Sequence, residues 1–131
     1  GTMDASFPLS NFPACIVDDS CFWTGTVSGD LAGDIEIHEL WEQNYVVGSP
    51  AAGTEHFFET FRIDLDSGGW VSGLDAGVWN MGTGKFRANG WVTDTSAGLE
   101  DLEGCKLHES GLVTQGGPGF VFSAEWFLVA P

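Results

Sequence analysis

Three glutamates interrupt strand faces that are otherwise apolar. Along 33–43, Ile35, Ile37 and Trp41 share a face with Glu39. Along 54–66, Phe57, Phe61, Ile63 and Leu65 share one with Glu59. Along 105–114, Leu107 and Val113 share one with Glu109. An ionised carboxylate is costly in an apolar interior unless it is paired or hydrogen-bonded. Left without a partner, it keeps its proton to higher pH and works as a general acid or base near neutrality. Glu39, Glu59 and Glu109 are therefore the candidate catalytic residues. Two structural alternatives stand beside this reading. A β-bulge would turn a glutamate outward, and a glutamate bonded to Trp, Tyr or backbone donors would be buried without a chemical role.

Other chemistries find little support. His38, His56 and His108 could in principle hold zinc. They fall on the opposite, polar faces of the same three strands, so no metal is expected. No G-x-S-x-G elbow is present. Ser110 follows His108 and Glu109 directly, and neighbours on a strand point to opposite faces. Cys105 shares a face with Glu109, as a buried thiol or a reactive one. Gly82-Thr83-Gly84 precedes a strand instead of a helix, so it is no phosphate loop. No cofactor is expected.

The elements that would position the glutamates are strands. The chain has 131 residues, 43% hydrophobic and 18% charged, with 19 glycines and 10 Phe, 6 Trp and 1 Tyr. That is one globular domain of all-β composition. Turn signals at Gly29-Asp30, Asp66–Gly69, Asn80–Gly84 and Gln115–Gly119 separate alternating segments. Eight strands are predicted, at 12–18, 20–29, 33–43, 54–66, 69–80, 84–95, 105–114 and 119–129. Their spacing predicts an antiparallel up-and-down meander closed into an eight-stranded β-barrel with a central apolar cavity. Residues 97–103 read as one helical turn. Residues 1–10 read as a flexible segment beginning with a tag-like Gly1-Thr2-Met3, and Val46–Gly53 as a loop.

Parity places Trp41, Phe57, Phe61, Leu107, Phe122 and Trp126 inside, as candidate ligand-binding residues. Gly73, Gly77, Ala88, Gly90 and Gly111 would leave room beside them. The last strand also has an apolar outer face of Val121, Phe127 and Val129, which a homodimer or homotrimer contact would explain.

Charge narrows the partners. Four basic residues stand against 19 acidic ones, a formal charge of −15. Nucleic acid and anionic membrane surfaces are disfavoured, and no apolar run approaches the roughly 18 residues of a spanning helix. Cys15 and Cys21 flank Asp18-Asp19-Ser20 and could pair across it, or all three cysteines could be buried thiols. Cytoplasmic and secreted locations both stay open.

Gly82-Thr83-Gly84-Lys85-Phe86-Arg87-Ala88-Asn89-Gly90 resembles the G-T-G-x-F-x-x-A/x-x-G segment of the allene oxide cyclase and dirigent barrels. Leu102-Glu103-Gly104 and Leu107–Gly111 fit the same layout. The match centres on 82–111 and consists mostly of turn chemistry. The resemblance implies an eight-stranded barrel with an apolar cavity open at one end. It implies a small hydrophobic or phenolic ligand, held in one conformation without a cofactor. No complete catalytic set of either family can be placed on this chain.

Two functions follow as expectations. One is a cofactor-independent enzyme that steers cyclisation, isomerisation or lyase chemistry on a small hydrophobic substrate, with the glutamates as acid and base. The other is a noncatalytic dirigent- or lipocalin-like binding protein.

Overall fold

Strict alternation of apolar and polar residues is what a half-buried strand requires, and it runs through most of the chain. In the computed structural model, which describes residues 1–131, it produces nine strands. These are β1 (Thr2–Pro8), β2 (Phe22–Ser28), β3 (Gly33–Glu39), β4 (Tyr45–Val47) and β5 (Thr54–Leu65). They continue with β6 (Trp70–Asn80), β7 (Lys85–Thr95), β8 (Lys106–Gln115) and β9 (Gly119–Val129). Burial along β5 and β7 alternates almost residue by residue.

All pairings are antiparallel. Each barrel strand pairs with its sequence neighbour, β3 passes to β5, and β1 pairs with β9 from Thr2↔Glu125 to Pro8↔Gly119. The result is a closed eight-stranded up-and-down barrel, with no free edge among its staves. The three-residue β4 pairs only with the start of β5 and lengthens the wall beyond the end of β3. At the β6–β7 turn, Gly84 has φ +81°, a left-handed conformation that glycine adopts without a Cβ penalty.

Two sequence expectations need correction. Residues 12–18 form no strand. Leu9–Asn11 is a 3-10 turn and α1 (Ala14–Val17) a short helix. Pro8 ends β1 before this stretch and Pro13 lies within it, and proline cannot donate to a ladder. The first stave comes instead from Thr2–Pro8, expected to be flexible. Met3, Ala5 and Phe7 are buried in alternation, and β1 is laddered on both sides. Three smaller differences follow. The third strand stops at Glu39, the loop around Val46 contains β4, and the turn expected at 97–103 is the 3-10 segment Glu100–Leu102.

The interior has two halves. Toward one end, Met3, Ile35, Ile37, Ile63, Val71 and Val92 pack solidly with Phe61, Leu107 and Trp126. Toward the other, the strands surround open space. Residues 9–21 fold across that open end. A Cys15–Cys21 disulfide, with Cα atoms 4.9 Å apart, ties α1 to the start of β2. Both cysteines and Phe7 are buried together, with Trp23, Trp41 and Phe120 against them. Cys105 is a free thiol buried in the solid half.

A cross-link this short removes about 2 kcal/mol of unfolded-state freedom. Replacing Cys15 and Cys21 together by Ser is expected to lower the thermal midpoint by roughly 5–10 °C. Scanning calorimetry checks this; an unchanged midpoint would show that the disulfide holds nothing in place.

Candidate functional site

Register places three acids side by side on the inner wall. Glu39 on β3 faces Glu59 on β5, and Glu59 faces Asp75 on β6. Rows above and below are Phe57 against Gly77 and Phe61 against Gly73. A β-carbon at Gly77 would stand 2.5 Å from Phe57 Cζ, and one at Gly73 would stand 2.6 Å from Phe61 Cζ. The two rings therefore lie over glycines, one on each side of the Glu59–Asp75 pair. Glu55, one inward position before Phe57, faces Trp79. Glu109 enters from β8, between Ala88 and Trp126. All five acids are buried, none more than 8% exposed.

The single bulge of the β6–β7 ladder, between Ser72 and Gly73, lies outside this row and leaves its parity intact. The glutamates point inward as alternation predicts. His38, His56 and His108 lie on outer faces, stacked on Phe22, Tyr45 and Phe127.

The open half holds a cavity of about 520 Å³, and twelve of its seventeen lining residues are hydrophobic. Its aromatic wall is continuous. Ring centroids lie 5.6 Å apart for Trp41–Phe12, 6.5 Å for Phe12–Phe7 and 5.5 Å for Phe7–Trp23. The belt continues at 5.2 Å for Trp23–Phe122, 5.3 Å for Phe122–Phe86 and 6.4 Å for Phe86–Phe57. Glu39, Glu55, Glu59 and Glu109 also line the cavity.

Of the six residues expected to bind ligand, Trp41, Phe57 and Phe122 line this space. Phe61, Leu107 and Trp126 pack in the solid half, because the inner row closes the barrel at the level of Phe61. Glu55 and Asp75 were missed by sequence reasoning. Glu55 has the parity of Phe57 but sits at a strand end. Asp75 shares the parity of Gly73 and Gly77, already read as inner positions that leave room, but was not singled out with them.

Hydrogen bonding differs sharply among the acids. Trp23 Nε1 donates to Glu39 Oε1 at 2.8 Å, and Asn44 Nδ2 donates to Oε2 at 3.0 Å. Asn44 is itself fixed, since its Oδ1 accepts the Phe58 N–H at 2.8 Å. Asp75 Oδ1 is buried with no partner. No cation enters the interior: Arg62, Lys85, Arg87 and Lys106 are all exposed, and Arg62 pairs with Asp64 at 3.0 Å.

Burial therefore acts on the carboxyls without compensation. It pushes Glu55 up to about 7, helped by the charge of Glu39. It pushes Glu109 up to about 8, helped by Asp75. Asp75 rises to about 7 through burial, against a hydrogen bond from Glu59 that pulls it down, with Glu39 adding to the rise. Glu59 is held well above the usual carboxylate range by burial first, then by Asp75 and Glu39. The cavity thus holds carboxyl groups able both to give and to take a proton near neutral pH.

Compared with known proteins, the chain matches no family model, no curated protein and no solved structure.

The raised carboxyls set the pH dependence of stability. Between about pH 4.5 and 8 the folded chain binds more protons than the unfolded one, so stability falls as pH rises. Urea unfolding is expected to show a higher midpoint near pH 5 than near pH 8, and Glu109→Gln should flatten that slope. A midpoint that rises with pH would refute the burial of these acids.

Proposed function

We propose that this barrel is a small cofactor-independent enzyme. It takes a hydrophobic substrate into the open half and moves a proton on it, in isomerisation, cyclisation or lyase chemistry. One observation carries the reading: several buried carboxyls, with no cation among them, line an aromatic cavity of about 520 Å³. Such volumes suit small organic ligands, and perturbed carboxyls in a cleft are candidates for reactive groups.

The roles follow from the environments. Glu55, poised at about 7, is partly ionised at neutral pH and acts as the base that removes a proton from carbon. Glu109, at about 8, is mostly protonated and returns a proton to the developing anion or to a second carbon. The substrate leaves with as many protons as it brought, and the cluster resets by proton exchange. Glu59 and Asp75, facing each other across the β5–β6 ladder, hold a proton beside the reacting groups. Glu39, held by Trp23 and Asn44, is a fixed negative wall that positions the others. Exclusion of water by the aromatic belt strengthens each of these interactions. The resemblance of 82–111 to barrels that fold reactive substrates supports the same reading.

β-Tetralone is a suitable probe, because its α-protons are weakly acidic and its body is apolar. In D₂O the protein is expected to exchange them with a rate that peaks between about pH 7 and 8, one limb for base and one for acid. Glu55→Gln and Glu109→Gln should each lower that rate by about 10²-fold or more. NMR follows the exchange. If both folded variants exchange at the parent rate, the carboxyls are not the catalysts.

A further inference from the structure

Acidic side chains are spread unevenly over the outside of the barrel. On one side Asp34, Glu36 and Asp64 face out from β3 and β5. The side across from it, built from β7, β8 and β9, is different. Outward positions along 85–91, 106–112 and 121–129 hold one acid, Glu125, although the chain has 19. Three of the four basic residues, Lys85, Arg87 and Lys106, stand there. So do five bare apolar side chains: Phe127 is 59% exposed and Trp91 49%, with Leu112, Val121 and Val129 beside them. Apolar groups clustered in this way mark an interaction surface. In a chain of charge −15 this is also the side on which a second copy meets least repulsion.

Register sorts these residues into rows across β8. Arg87 faces Ser110, and Ser110 faces Glu125. The next rows are Asn89, His108 and Phe127, then Trp91, Lys106 and Val129. Neighbouring strands lie about 4.8 Å apart, so Arg87 and Glu125 are separated by roughly 10 Å along the wall. They do not pair within the chain, whose two ion pairs are His38–Asp19 and Arg62–Asp64. The two middle rows edge a surface depression of about 930 Å³.

A two-fold axis parallel to β8 makes this wall complementary to itself. It lays β7 of one copy over β9 of the other. Arg87 then meets Glu125 of a second copy, and the pair forms twice, because a two-fold contact repeats every interaction. Trp91 covers Val129 by the same operation, Phe127 comes down at Asn89 beside the depression, and Leu112 meets its own equivalent. Lys106 is the one charged residue that meets its like, and its flexible stem lets the ammonium turn out to water.

We infer that the outer face of β7–β9 is the interface of a homodimer, formed about a two-fold axis parallel to β8, with Arg87 of each copy paired to Glu125 of the other. The contact lies on the side of the barrel, outside the cavity, and does not depend on the proposed reaction.

Sedimentation equilibrium of the full chain near neutral pH tests it. The parent is expected to be a dimer in the micromolar range. Arg87→Glu and Glu125→Arg should each weaken it at least about tenfold, since either change opposes two pairs of like charges. The double variant, Arg87→Glu with Glu125→Arg, restores opposite charges and should recover the parent affinity to within about threefold. General repulsion between acidic chains predicts the reverse for Glu125→Arg, which lowers the net negative charge and would tighten association. A parent that stays monomeric into the high micromolar range, or that sediments as a trimer, overturns the two-fold contact. A dimer indifferent to both single reversals, one tightened by Glu125→Arg, or one that the double reversal fails to rescue overturns the Arg87–Glu125 pairing.

Discussion

Desolvation of carboxyl groups sets the terms on which this barrel exists. Removing an acid from water disfavours its charged form, and five acids lie behind one wall with no lysine, arginine or histidine to answer them. The protein meets this constraint in two ways. Glu39 receives two donors, Trp23 and an Asn44 that is fixed by the backbone of β5. The other four acids hold their protons to higher pH. A core built for stability alone would place leucine or valine at these positions. Keeping acids there costs folding free energy.

The geometry that tolerates this arrangement is unusually economical in side chains. Glycines opposite phenylalanines let Phe57 and Phe61 lie over β6, so the acid pair is flanked by rings without extra residues. Below that level the core is solid, and above it the staves enclose space. The division falls at the acid row. The Glu39–Glu59 row therefore lies at the boundary between the two halves, with Glu55 nearer the open end.

Much of this was legible in the residues. Period-2 alternation located seven of the eight staves, and the inward parity of Glu39, Glu59 and Glu109 held because the one bulge lies elsewhere. The first stave was misplaced because two prolines and a disulfide-bonded turn occupy 8–21, while the short alternation of Met3, Ala5 and Phe7 gains meaning only through its partners β2 and β9. Asp75 was invisible for a related reason. It shares the parity of Gly73 and Gly77, but these glycines carry no side chain against which an acid would stand out. Trp126 and Phe61 have the right parity but the wrong height, and height along a barrel axis is set by stagger between strands, which no single strand encodes.

The seam between β1 and β9 has a kinetic meaning. Gly1 donates to the carbonyl of Trp126, and seven residue pairs bind β1 to β9. During synthesis β1 can form a hairpin with β2, but its second edge waits until β9 has emerged. Up to that moment the sheet is an open ribbon whose two outermost strands expose unpaired backbone and apolar side chains. Closure is thus the last and most non-local step of folding, slow by topology, and the nascent ribbon is the state most exposed to pairing with other chains.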